Sequence, residues 1–430
     1  MRISNHMVVF HRWLKRNVQE LAPYMRVIPK PIRRKFLEVF LDPKKDITPI
    51  PLPFKVKAHP KGINLIGFFR VENGLAQGAK LYAKALEKGN LSYALVNADF
   101  LSFLPQNDIT FDKWLKPKPI YGINVTHINA DQYSQAQAQL SPSAFDRRYN
   151  IAVWLWELEN IPNEWYWAFP YLNEIWVPSN FVKNAIEKVA PIPVSLIPYG
   201  IEAPVDSKCD RAFFGLPEDR FLVLCMFDSN SYFSRKNPLG ALVAFTKAFG
   251  NAHSKASLVM KVSNAKEAEL ERIRMEMGSP ENLILFSQTF EKKQVNALIR
   301  CCDVFLSLHR SEGFGLVLAE AMYLGVPVVA TNWSANTDFM NADVACMVDY
   351  ELIPTNGEYQ FDHAQQRWAD ANTDQAADYL AKLFKDKAFY EKISKAGERH
   401  IREHLSLEKS RDLMEKRISE IYKNYTKHRG

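Results

Sequence analysis

No apolar run in this 430-residue chain is long enough to cross a membrane. The longest is "FLVLCMF", residues 221 to 227, where a spanning helix needs about 20 residues. The N-terminus offers only "MVVF" where a secretory signal needs a longer apolar stretch, so no secretion is expected. Cysteine is sparse, with an odd total of five and no CxxC spacing. That leaves no disulfide framework, and Cys209, Cys225, Cys301, Cys302 and Cys346 read as reduced thiols of a cytosolic protein. No Asp-x-Asp pair is present to hold a divalent metal. No basic module interleaved with aromatics is present for nucleic acid.

What remains is an ordinary globular composition, 47% hydrophobic and 24% charged. A chain of this length is too long for one compact core, so two domains with extras are expected. The net charge of +7 is placed unevenly. Residues 1 to 60 hold 13 Lys and Arg against 4 Asp and Glu, and the last forty hold 11 against 7, around a mildly acidic middle. In this leader, Phe10, Leu14, Val18 and Leu21 fall on one helical face opposite His11, Arg12, Lys15, Arg16 and Gln19. Such a basic amphipathic helix suits an anionic membrane surface, or it packs on the first domain with its charges in water. The proline-rich "ITPIPLPF" (47 to 54) follows as a stiff linker.

From Gly62 the texture changes to strand, glycine loop and helix. "INLIGFF" (63 to 69), "YALVNAD" (93 to 99), "YGINVTHIN" (121 to 129), "IAVWLWE" (151 to 157) and "EIWVPS" (174 to 179) read as strands with helices between them. "VSLIPYGIEAP" closes that half, and the same plan restarts at "RFLVLCMFD" (220 to 228). It continues through "ASLVMKV", "NLILFS", "DVFLSLH", "VPVVATN" and "ACMV", and polar helices run from about 372 to 426. Alternating strands and helices predict parallel sheets covered on both faces, here twice over, with ligands beyond the carboxyl ends of the strands.

One stretch carries chemistry: "HRSEGFGLVLAEAMYLGVPVVAT", residues 309 to 331. The helix from Leu316 to Leu324 is apolar on every side except at Glu320, and an all-round apolar helix is normally buried. A buried carboxylate needs a partner. Glu312 stands eight residues earlier, in the loop that leaves the strand "DVFLSLH". Gly313 and Gly315 let the backbone approach a ligand, and the helix directs free N–H groups at any phosphate there. Carboxylates only accept hydrogen bonds, so they suit sugar or ribose hydroxyls. Favourable placement near the helix dipole would also account for Glu312 alone. A dinucleotide fingerprint does not fit, because Leu318 stands at its third glycine and the strand comes late in its domain.

The pattern Glu312-x7-Glu320 around Gly313-Phe314-Gly315, continued by "AEAM" and "GVPVVAT", resembles the retaining nucleotide-sugar glycosyltransferases of family 4. "WLWELENIPNEW", "EIWVPSNFV", "IPYGIE" and "FDSNSYFSRKNP" are similar to segments of that family in the same order, from about residue 62 to 425. The resemblance implies an α/β protein of GT-B fold, two doubly wound Rossmann-like domains facing a cleft, behind a basic helical leader. It implies that Glu312 contacts the donor sugar and Glu320 the ribose. Backbone amides of Phe314, Gly315 and Leu316 would meet the pyrophosphate. Arg235 and Lys236 match the family's basic pair, which stabilises the departing nucleoside diphosphate; an ordinary exposed basic pair is the plain alternative.

In the first half, Gly74 matches the glycine loop near the reacting sugar, and His127 the donor-contacting histidine of an H-x-H-E-P context. Three positions depart from the family. Asn230 stands where some relatives have a further arginine, Leu75 where many have a second glycine, and Asn129 at the second histidine. His127 therefore serves either the donor or the core. Trp154, Trp156, Trp165 and Trp167 are candidates for stacking on acceptor sugars or for core packing.

The chain divides into residues 1–60 (leader and linker), 61–203 (acceptor domain), 204–404 (nucleotide-sugar domain) and 405–430, a helix returning to the first domain. The implied activity is retaining, metal-independent transfer of a hexose to a saccharide or lipid-linked saccharide acceptor, in building polysaccharide or lipopolysaccharide. Mannose is favoured, with GDP-mannose as donor and no cofactor besides. The implied place is cytoplasmic, with the leader peripheral on the inner membrane face. The rivals are a sugar-nucleotide epimerase on the same double fold, which needs no acceptor, and a non-catalytic membrane-associated scaffold.

Overall fold

The structure is a computed structural model and describes residues 49–100, 106–250, 255–277, 282–360 and 366–427. The amphipathic stripe from Phe10 to Leu21 lies outside the described residues. The first half forms β1 (Ile63–Gly67), α1 (Gly74–Glu87), β2 (Tyr93–Asn97), β3 (Ile123–Thr126), α2 (Ala130–Leu140), β4 (Tyr149–Val153), β5 (Glu174–Val177), α3 (Asn180–Glu187) and β6 (Val194–Leu196). After α4 (Arg211–Phe214), the second half forms β7 (Phe221–Asp228), α5 (Phe233–Lys236), α6 (Pro238–Phe249), β8 (Ala256–Ser263) and α7 (Glu267–Met277). It continues with β9 (Leu283–Phe286), α8 (Lys292–Cys301), β10 (Val304–Ser307), α9 (Leu316–Tyr323), β11 (Val328–Thr331) and β12 (Cys346–Val348). A hairpin of β13 (Tyr350–Pro354) and β14 (Arg367–Ala371) precedes α10 (Thr373–Lys385), α11 (Lys387–His404) and α12 (Leu407–Lys427).

Two six-stranded sheets result, ordered β2-β1-β3-β4-β5-β6 and β12-β11-β10-β7-β8-β9. Every pairing within them is parallel. Helices cover both faces of such sheets, so β1, β4 and β11 are buried along their whole length and read as apolar runs. The first sheet has one polar seam. Asn64, Asn124 and Asn150 are buried at the same level of β1, β3 and β4; Asn64 donates to Asn124 Oδ1 and Asn124 to Asn150 Oδ1, both at 2.9 Å.

The strand orders decide where side chains can meet. In the first sheet the chain moves outward from β1 to β2, then returns to place β3 on the other side of β1. In the second it moves from β7 through β9 and returns to place β10 beside β7. At each reversal two loops leave adjacent carboxyl ends in opposite directions and open a crevice. The first crevice lies between the loops that carry Gly74 and His127. The second lies between the loop that carries Arg235 and Lys236 and the loop that carries Glu312.

The halves are tied at the linker, where Ile201 N donates to Leu405 O at 2.7 Å. A Cβ on Gly200 would stand 2.5 Å from Leu407 Cα, so only glycine permits this crossing. The helix α12 then lies against the first domain. Arg417 donates to both oxygens of the buried Glu174 at 2.8 and 2.9 Å, and Arg411 donates to Lys88 O at 2.8 Å. The linker residues are not free-standing either. Leu52 O accepts from Arg147 N at 3.0 Å, and the buried Phe54 ring packs edge-on to Tyr149, Tyr422 and Tyr425.

Of the tryptophan cluster, Trp154, Trp156 and Trp165 are buried and pack against one another at 5.4 and 5.1 Å. They belong to the core of the first domain; Trp167 is half-buried. The five cysteines are free thiols. Among the described residues no helix is long and apolar enough to cross a membrane.

Candidate functional site

The short helix α5 follows directly on β7, and the left-handed Tyr232 (φ 64) and Asn237 (φ 48) bound it. Asn237 accepts from Gly240 N at 3.1 Å and donates to Leu308 O at 2.9 Å, so it pins this turn to the loop after β10. That geometry aims Arg235 and Lys236 at Glu312. Lys236 Nζ hydrogen-bonds Glu312 Oε1, and Arg235 Nη1 lies 3.4 Å from Oε2 while donating to Ser311 O at 2.7 Å. The Arg235 side chain is 5% exposed and that of Glu312 14%. Burial alone would push the Glu312 carboxyl up, but Lys236 and Arg235, with His309 behind them, hold it down to about 2. One donor of Arg235 stays unpaired: Nε is buried with no hydrogen-bond partner.

Gly315 caps α9 in the left-handed region (φ 92), with no side chain closing the helix N-terminus. Gly313 lies where a Cβ would meet Trp156 O of the first domain at 3.1 Å, and its carbonyl accepts from Ser179 Oγ at 2.8 Å. Phe314 is buried, its ring 4.9 Å from Tyr199. Leu316 is half-buried at the first turn. Glu320 is 1% exposed. Lys292 Nζ stands 2.6 Å from its Oε1, yet neither carboxylate oxygen has a partner with hydrogen-bond geometry.

The first-domain candidates are placed differently. His127 is fully buried, with Nε2 2.8 Å from Tyr199 OH, and burial pushes its pKa down to about 3. The imidazole lies one ring away from Phe314, and its Nδ1 is buried without a hydrogen-bond partner. Asn129 is the N-cap residue of α2, but its side chain makes no capping bond; its Oδ1 accepts from Leu155 N at 2.9 Å and so holds the loop after β4. Gly74 opens α1 on an Asn73 cap, with nothing within 4 Å of where a Cβ would stand.

Several residues the sequence did not single out complete the site. Glu157, from the first domain, accepts from Tyr359 OH at 2.6 Å, and its Oε1 lies 3.9 Å from Arg235 Nη2. Its backbone carbonyl accepts from Ser311 Oγ. Tyr359 hangs from the β13–β14 hairpin, packed on Trp156 and Tyr232. Glu312 N donates to Ser334 Oγ at 2.8 Å, and His309 Nε2 is 3.0 Å from Asn336 Oδ1. Lys261, two residues before the end of β8, is 3% exposed, its ammonium pKa pushed down by burial against the pull of Asp228 and Glu72. Only strand order could have revealed most of these, because each partner comes from a different loop. A basic pair, a bare helix N-terminus and a buried carboxylate on one crevice can hold an extended ligand with a central anion and hydroxyls beside it.

Residues 207–400 match the family model described as glycosyl transferases group 1. The second half of the chain carries a glycosyltransferase group 1 domain. No curated protein matches the chain by sequence. Among solved structures, HepE of Anabaena, in complex with UDP and glucose, is 13% identical with a TM-score of 0.60, over 84% of this chain and 100% of that one. Sucrose-phosphate synthase of Thermosynechococcus elongatus is 14% identical with a TM-score of 0.61, over 85% and 100%. A glycosyltransferase of Rickettsia africae is 17% identical with a TM-score of 0.60, over 85% and 98%. The two described sheets and their helices form a GT-B fold.

Proposed function

We propose that this chain is a retaining glycosyltransferase that moves a hexose, mannose favoured, from a nucleoside diphosphate sugar to a saccharide or lipid-linked saccharide acceptor. One observation carries the reading. Arg235 Nε is a buried donor without an acceptor, and the buried Glu320 carboxylate has the Lys292 ammonium against Oε1 but no donor at Oε2. Buried polar groups are nearly always satisfied, so the pair calls for a ligand with opposite needs. A diphosphate accepts and a ribose donates. Glu312, held as an anion, would accept from hydroxyls of the donor sugar, and the amides of Phe314, Gly315 and Leu316 would meet the pyrophosphate.

In the transfer, the acceptor oxygen bonds to the sugar's C1 on the face that the phosphate oxygen leaves, and the hydroxyl proton passes to that phosphate. Negative charge grows on the leaving diphosphate, so Arg235 and Lys236 stabilise the transition state beyond the ground state. This fixed positive charge supports a metal-independent reaction. The donor base is open to test: the similar HepE structures hold UDP and UDP-glucose, beside the GDP-mannose favoured by sequence resemblance. The basic leader suits a lipid-linked acceptor at an anionic surface.

The test is a thermal-shift screen of UDP, GDP, ADP and CDP sugars, followed by product mass spectrometry and anomer assignment with and without EDTA. A stabilising donor and an acceptor-dependent α-linked product from an α-linked donor, formed in EDTA, are expected. A product that forms without acceptor makes the chain an epimerase, and no binding by any nucleotide rejects the reading.

A further inference from the structure

Glu320 is usually read through the motif that contains it, but its counter-charge comes from outside. Lys292 opens α8, directly after a capping box in which Glu291 and Gln294 satisfy each other's backbone. Its backbone is thereby fixed, and its side chain, 33% exposed, carries the ammonium to 2.6 Å from Glu320 Oε1. A carboxylate 1% exposed is costly without a nearby cation. The ammonium engages Oε1, so Oε2, buried without a partner, keeps its capacity to accept while the charge is balanced.

We propose that Lys292 is a positioning residue of the donor site, holding the Glu320 carboxylate as the acceptor for ribose hydroxyls of a nucleoside diphosphate. The proposal rests on the glycosyltransferase reading and adds a residue and a ligand feature to it. The site then distinguishes ribose from deoxyribose through a lysine that touches neither. Without Lys292 the carboxylate loses its orientation and counter-charge, and the ribose hydroxyls lose their advantage. Arginine at this position would restore charge and reach.

Calorimetry on the full chain decides it, with UDP and GDP and their 2′- and 3′-deoxy forms, for the wild type, Lys292→Met and Lys292→Arg. Wild type should bind a ribonucleotide at least ~10-fold tighter than its deoxy forms, the size of one charge-assisted hydrogen bond. Lys292→Met should lose most of that ratio while binding the deoxy forms as wild type does, and Lys292→Arg should recover it. A ribose-to-deoxyribose ratio in Lys292→Met equal to wild type overturns the proposal and leaves the glycosyltransferase reading intact. Equal weakening toward every nucleotide, without rescue by arginine, assigns Lys292 to structure and also overturns it. A wild type that binds no nucleoside diphosphate, ADP and CDP included, removes both.

Discussion

Glu320 and Lys236 stand in opposite relations to the charge that changes during transfer. Glu320 would meet a ribose whose hydroxyls stay as they are, so its contribution is to binding. Glu320→Gln should weaken donor affinity by about 1.5–3 kcal/mol, the cost of losing hydrogen bonds to a charged acceptor, with the fold retained. Calorimetric affinity equal to wild type would remove the ribose assignment. Lys236 would meet oxygens whose charge grows as the bond breaks. Lys236→Ala should therefore lower kcat by at least ~10²-fold, more than it raises the donor KM. Steady-state kinetics check this, and a normal kcat would reduce the basic pair to a partner of Glu312. Glu320 could be found from sequence because it breaks the apolar pattern of its own helix. Glu157 could not, because its partners Tyr359 and Arg235 lie in other elements, the first of them 202 residues away.

At the scale of elements, the β13–β14 hairpin is the piece that alternation of strands and helices does not foretell. It is antiparallel, set apart from both large sheets, and reaches the first domain. Tyr359 binds Glu157, Gln366 Oε1 accepts from Asn160 N at 3.0 Å, and Arg367 lies 3.8 Å from Glu159. Tyr359→Phe keeps the ring packing on Trp156 and Tyr232 and removes one hydrogen bond to a carboxylate. The expected cost is about 1.5–3 kcal/mol of stability, read as a lower urea midpoint. A midpoint equal to wild type would show that the Tyr359–Glu157 bond adds nothing to the hold of the hairpin. The hairpin escaped sequence reading because its strands alternate weakly and one carries Pro354, a residue confined to sheet edges.

At the scale of the whole molecule, the final helix joins the domains it does not belong to. Glu174 is fully buried and keeps Tyr149, Trp176 and Ser195 as neutral donors, but Arg417 is the cation that bonds both its oxygens. Arg417→Ala should cost about 3 kcal/mol, because it strands a buried carboxylate. The thermal midpoint should fall accordingly, and Arg417→Lys should recover part of the loss. An unchanged midpoint would mean that the three neutral donors suffice.

The sequence by itself determined the two sheets, because parallel strands covered on both faces must be apolar runs and the helices between them must be amphipathic. It also determined the Gly313–Gly315 turn and the oddity of Glu320, since both are breaks in a local pattern. The tertiary structure alone decided that His127 is buried beside Tyr199 and that three of the four tryptophans are buried. It alone brought Glu157 and Tyr359 beside Arg235 and Lys292 beside Glu320. The reason is physical: periodicity reports which face of an element is buried, whereas ion pairs across a crevice depend on strand order and on loops that meet only after folding.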